Sequence, residues 1–194
     1  RWFDDTLRPI GGWRTRSDTA SAGQVRGMHS WIANNSDRWI SAGSYNKLYV
    51  YSGAGIQYDI TPTGFTAGNE DALTPVGYGN SFYGLEYYGT PRQESVTITP
   101  ATTWSMDSWG QYLVACSSTD GKVYEWQLST GTIAAVVANA PVNNRAILVT
   151  EERFLMCLGA GGNPRLVQWS DREDNTVWTP AATNEAGSLE LQTT

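Results

Sequence analysis

Residues 166 to 180, LVQWSDREDNTVWTP, place two tryptophans, three acidic side chains and an arginine within fifteen positions. Asp171 with Glu173 and Asp174, or Glu151 beside Glu152, could supply the acid and base of glycosidic cleavage, with Trp169 and Trp178 stacking on a sugar ring. A structural reading competes and is the stronger. Ser170 and Asp171 close a strand, where short polar side chains bond to the backbone and shape a turn. Trp178, just before Thr179 and Pro180, is placed to fold back over Trp169. We therefore expect Trp126, Trp169, Asp171 and Trp178 to be turn and packing residues, with no catalytic residue among them and no enzymatic activity.

Other chemistries find little support. His29 is the single histidine, in GMHSW, without a Cys, Asp or Glu at ligand spacing, so no metal site is expected. SSTDG and SDREDN carry carboxylates but match no calcium loop. A serine nucleophile would need His29 as base, and no Gly-x-Ser-x-Gly elbow is present. GAGGNP lies between two strand-like runs and lacks the Lys–Ser/Thr ending of a phosphate loop, which makes it a β-turn. Cys116 and Cys157 sit in apolar runs, YLVAC and RFLMCL, and read as buried free thiols. No cofactor is expected, and no apolar run approaches the 18 residues or so of a membrane span.

The elements that position these residues read as all-β. The 194 residues include 20 Gly, 9 Trp and 10 Tyr against 13 Lys plus Arg, and no stretch has a helix-forming composition. Residues 1 to 30 form an N-terminal arm, packed by Trp2, Phe3 and Trp13. RWISAGS, KLYVYSG and IQYDI are short strands. Residues 61 to 95 are a Tyr/Gly-rich insertion whose Tyr78, Phe82, Tyr83, Tyr87 and Tyr88 call for cover by the body or a neighbouring subunit. QYLVAC, the Asp120–Gly121 corner and KVYEWQL form a meander; AILVT, RFLMCL and RLVQWS form another. Three units share one grammar, opening their second strand on Lys47, Lys122 and Arg165, the last two 43 residues apart. A period of roughly 40 to 50 with short antiparallel strands favours a β-propeller-like domain over residues 31 to 194, with a β-sandwich as the alternative.

The net charge of −6 disfavours tight phosphate binding and leaves open a surface that nucleic acid slides past. The run from TTWSMDSWGQYLVACSSTDGKVYEW to APVNNRAILVTEERFLMCLGAGGNPRLVQWSDREDNTVWTPAATNEAGSLELQ resembles the tail nozzle family of short-tailed double-stranded DNA bacteriophages, the tubular or packaged-DNA-stabilising proteins below the portal. The resemblance is carried by Trp169-Ser170-Asp171, Trp178-Thr179-Pro180, Asn184, Ala186-Gly187, Tyr83-Gly84 and Gly89-Thr90-Pro91-Arg92. It implies a structural virion protein of the phage tail that forms a homo-oligomeric ring, typically a hexamer, contacts other tail and portal-adaptor proteins, and lets DNA pass during ejection. Trp2, Trp13, Tyr78, Phe82, Tyr83, Tyr87 and Tyr88 are the candidate subunit contacts. Members of that family are several times longer, so the chain reads as a segment of one. A carbohydrate-binding propeller module is the alternative function, and it predicts solvent-facing tryptophans at equivalent positions such as Trp126 and Trp169.

Overall fold

The computed structural model describes residues 2–3, 5–7, 12, 14–72 and 99–192. Two short strands, β1 (Trp2–Phe3) and β2 (Thr6–Leu7), pair as a ribbon. Three four-stranded antiparallel sheets follow, each a meander taken in chain order. Sheet I holds β3 (Met28–Ile32), β4 (Arg38–Gly43), β5 (Leu48–Ser52) and β6 (Gln57–Asp59). Sheet II holds β7 (Trp104–Trp109), β8 (Tyr112–Ser117), β9 (Val123–Trp126) and β10 (Ala135–Val136). Sheet III holds β11 (Ala146–Val149), β12 (Leu155–Leu158), β13 (Leu166–Trp169) and β14 (Gly187–Glu190).

Period-two alternation decides how the sheets stack. In β8, Leu113 and Ala115 point into one buried cluster, with Trp31, Trp39, Leu48, Val50 and Ile60 of the sheet I region. Val114 and Cys116 point the other way, into a second cluster with Ile147, Leu155, Cys157 and Trp178. Strand β9 divides likewise, Tyr124 and Trp126 to the first cluster and Val123 to the second. Sheet II is thus the middle layer, buried on both faces, which is why β8 reads as a continuous apolar run rather than an alternating one. Sheet III buries one face against sheet II; sheet I buries one face against sheet II and part of the other, at Ala42 and Tyr49, under residues 14 to 27.

This corrects the expected propeller. The recurring four-strand grammar is present as one open sheet per unit, but no sheet is curled or closed into a barrel, and the packing is sandwich-like. The physical reason is that a four-strand meander is a local unit common to both architectures. Turn spacing sets strand pairing within a sheet, while the identity of the buried faces sets how sheets meet.

Polar side chains of β7 complete the junctions. Ser105 Oγ donates to Ile147 O (2.9 Å) and accepts from Ile147 N (3.1 Å), and Asp107 Oδ2 accepts from Val149 N (2.8 Å). These bonds satisfy backbone groups on the edge of β11 that no strand pairs with. The intervening residues point to sheet I: Met106 Sδ accepts from Ser41 Oγ (3.1 Å), and Ser108 Oγ meets His29 Nε2 (2.8 Å). The β8–β9 corner depends on Gly121, at φ 60°, where a Cβ would fall 2.4 Å from Asn143 Cα.

Candidate functional site

The corner after β13 is knit to the backbone. Asp171 Oδ1 accepts from Arg172 N (2.9 Å) and Glu185 N (2.8 Å), and Asp171 N donates to Val177 O (2.8 Å). Asp174 Oδ1 accepts from Thr176 N (2.9 Å) and Thr176 Oγ1 (2.6 Å), bonds that hold its carboxyl below the usual carboxylate range. Asn175 Nδ2 donates to Glu125 of sheet II, and Asn139 Nδ2 reaches Thr176 O (3.0 Å). A carboxylate engaged in this way serves a turn, and one held ionised is poorly suited to act as an acid near neutrality.

Trp169 and Trp178 end on opposite faces of sheet III. Trp178 enters the buried cluster between sheets II and III, its indole N–H donating to Asn175 O (2.7 Å). Trp169 faces outward across Gly187, with its indole N–H on Glu185 O (2.8 Å). The rings part because Gln168, the inward residue of β13, donates to Trp178 O (3.3 Å) and so draws residue 178 to the inner face. Outward, Trp169 joins Phe154, Met156, Thr150 and Glu185 around a shelf of about 300 Å³. Trp126, its equivalent in sheet II, is buried against Trp31 and Trp39, with ring centroids 6.4 and 5.2 Å away. The solvent-facing aromatic position is therefore not repeated from unit to unit.

One constellation escaped the sequence reading. His29 and Ser108 meet at the seam of β3 and β7, with Asp107 next in the chain. The imidazole stacks on Trp31 at 5.9 Å, and burial pushes its pKa down while the Asp107 charge opposes this. The residue types are those of a Ser–His–Asp triad, but the wiring is not. Asp107 gives its oxygens to Ser108 N and Val149 N rather than to the imidazole, and Ser108 lies within a strand instead of on an exposed elbow. No signal in the sequence could have joined two residues 79 positions apart.

GAGGNP is a turn, with a single 3₁₀ turn at Ala160–Gly162 and positive φ at Gly159, Gly161 and Gly162. Cys116 and Cys157 are free and buried in one cluster; burial raises both thiols, Cys116 to about 12. Among the described residues no group of three or more His, Cys, Asp or Glu could hold a metal ion, and no helix is long and apolar enough to cross a membrane. Trp13, Tyr78, Phe82, Tyr83, Tyr87 and Tyr88 lie outside the described residues, as does the side chain of Trp2.

The working surface that remains is apolar. On the outer face of sheet III, Leu148, Met156 and Trp169 form one cross-strand row, and Ala146, Leu158, Val167 and Leu189 the next. On the outer face of sheet I, Met28, Ile32 and Ile40 are exposed, and Ile40 faces Tyr51 across the β4–β5 pair. Residues 14 to 27 cover part of that face: Ala22 N donates to Tyr49 Oη (3.2 Å), and Asp18 N to Gly55 O (3.1 Å). They leave a groove of about 340 Å³ lined by Val25, Met28, Ile40 and Tyr51.

Comparison with protein-family models, with curated proteins and with solved structures returns no match for this chain.

Proposed function

We propose that this chain is a non-catalytic docking module, and that its setting is the tail of a double-stranded DNA phage, where it is a structural component of the tube or nozzle. The observation that supports this best is the apolar surface left at the two ends of the sheet stack, the groove beside Val25, Met28 and Ile40 at one and the Trp169 and Leu189 rows at the other. A chain that works by turnover concentrates unspent polar groups in a cleft. Here the polar side chains of the corner and of the β7 seam are engaged in holding the fold, and it is apolar surface that stays available. The phage setting rests on the sequence resemblance. The test is proteomic analysis of density-purified tailed particles from the source of this sequence. Peptides from this chain at a stoichiometry of several copies per particle are expected, and their absence from intact virions would end the reading.

The Trp169 shelf favours a second reading, a carbohydrate-binding module. A half-exposed indole beside Phe154, with Glu185 and Thr150 at its border, is an aromatic platform of the kind on which a sugar ring can stack. Tryptophan fluorescence titrations with soluble glycans, on the wild type and Trp169→Ala, test it. Saturable quenching that Trp169→Ala removes would favour the sugar, and its absence across a glycan panel would discard it.

A further inference from the structure

We infer that the chain has a small-ligand site of its own, a cleft between sheets I and II that takes a neutral mono- or disaccharide on Trp39 and Ser52. The site goes beyond the docking reading and is separate from the Trp169 shelf. It lies where the start of β4 and the end of β5 meet the loop after β9, and it encloses about 650 Å³, within the range of small-molecule sites. Trp39 and Ser52 stand opposite each other across the β4–β5 pair, and both wall the cleft. Unpaired groups gather here. Among the described residues five buried side-chain nitrogen or oxygen atoms find no hydrogen-bond partner, and two of them, Trp39 Nε1 and Ser52 Oγ, belong to this cleft. Trp31, Trp104, Trp126 and Trp178 show how the fold treats its other indoles: each donates to a backbone carbonyl. A buried donor without an acceptor destabilises the fold, and a ligand that brings the acceptor accounts for its being kept.

The backbone around the cleft is strained as well. Ser36 at φ 68° and Leu128 at φ 61° both line it in left-handed conformations, and for a bulky residue such as Leu128 that is an outlier of the kind that gathers at ligand sites. The rim then sets the ligand's chemistry. Asp37 takes Asn35 Nδ2 on Oδ2 (2.7 Å) and keeps Oδ1 free. Arg38 joins none of the ion pairs among the described residues, and Thr130 adds a hydroxyl. One carboxylate beside one guanidinium exerts no net pull on an ion. The pair suits a group that donates and accepts at once, as each hydroxyl of a sugar does. Among the described residues neither an imidazole nor a second carboxylate lines the cleft, so the arrangement binds rather than converts.

The experiment is nitrogen–proton NMR of the tryptophan indole groups on the whole chain. The probes are maltose, cellobiose, lactose and N,N′-diacetylchitobiose, with glucuronate as the charged comparison. Trp39→Phe identifies the Trp39 signal and removes the donor while keeping an aromatic ring; through-space transfer within the Trp39 ring identifies the signal if that variant does not fold. Ser52→Ala removes the hydroxyl. The Trp39 signal is expected to shift and saturate with at least one neutral sugar. Ser52→Ala should weaken that binding by about tenfold, and Trp169→Ala should leave it unchanged. Since Ser52 Oγ has no partner in the fold, Ser52→Ala should also melt no lower than the wild type. A Trp39 signal that stays still with every neutral sugar, up to tens of millimolar, overturns the inference. So does a shift that Trp169→Ala abolishes, or binding of glucuronate alone. A Ser52→Ala variant melting several degrees below the wild type would overturn it too, by showing that the hydroxyl serves the fold.

Discussion

Asp107 of β7 accepts the backbone N–H of Val149 at 2.8 Å, across the junction between sheets II and III. Two positions earlier, Ser105 both donates to and accepts from Ile147. Side chains of one edge strand thus replace the missing neighbour of another, which couples two sheets that share no backbone ladder. Replacing Asp107 with Ala leaves that N–H unpaired and should cost roughly 1–3 kcal/mol, with Ser105→Ala costing less. Urea unfolding of both single variants and of the double variant measures this. A sum of single effects in the double variant would show two independent links, while a shortfall would show one cooperative junction.

Trp126 and Trp169 occupy equivalent places in the sequence grammar and opposite places in the structure. Trp126→Ala opens a cavity among Trp31 and Trp39 and frees Ser129 O and Thr132 O, so a loss of about 3–5 kcal/mol is expected. Trp169→Ala removes a half-exposed ring, and about 1 kcal/mol is expected from the lost cover over Gly187. Thermal melts of the two variants, side by side, check the contrast.

That contrast also marks how far the sequence could be read. The strands β4, β5, β8, β9, β12 and β13, the Gly121 corner and the glycine turn at 159 to 162 are local features, set by alternation and by backbone conformations that few residues adopt. The turn role of Asp171 was legible for the same reason, since its partners include its chain neighbour. Which face of a strand meets which sheet is a long-range fact. Leu113 and Val114 look alike in sequence and enter different clusters, and nothing in the sequence marks Ser105, Asp107 and Ser108 as the links between layers that they are. The misjudged architecture has the same origin. Strand β3 was missed in part because Met28 and Ile32, exposed apolar residues, blur its alternation.

Gly121→Ala tests the β8–β9 corner. The added methyl would meet Asn143 Cα at 2.4 Å at a residue with φ 60°, so a loss of about 2 kcal/mol or more is expected. Gly131→Ala, where nothing lies within 4 Å of the added carbon, should stay within about 0.5 kcal/mol of the wild type. Equal effects at both sites would mean that chain entropy, not the close approach to Asn143, governs the corner.

Cys116 and Cys157 should be silent to thiol reagents in the folded protein and react with two equivalents after denaturation. The thiolate is the nucleophile, and burial raises both thiols above their ordinary range, Cys116 to about 12. Slow reaction of the native protein at the global unfolding rate would agree with this. Rapid labelling of one cysteine would mean that the junction between sheets II and III opens locally.

His29 gives the stability a pH dependence that a single substitution can isolate. Burial lowers its pKa below the ordinary 6.5, so between that value and the depressed one the unfolded chain holds more protons than the folded one. Stability therefore rises with pH through this window and is lost as pH falls below about 6.5. Asp18, Asp59 and Asp174 are also depressed, but their contributions are lost only as pH falls below the ordinary carboxylate value of 3.8, well clear of the histidine window. His29→Gln keeps a polar partner for Ser108 without a titrating ring. Its unfolding free energy, measured in urea between pH 7 and 5, should be flatter than that of the wild type by the slope of a fraction of one proton. Identical slopes in the two proteins would show that the imidazole at the seam of β3 and β7 titrates as it does in water.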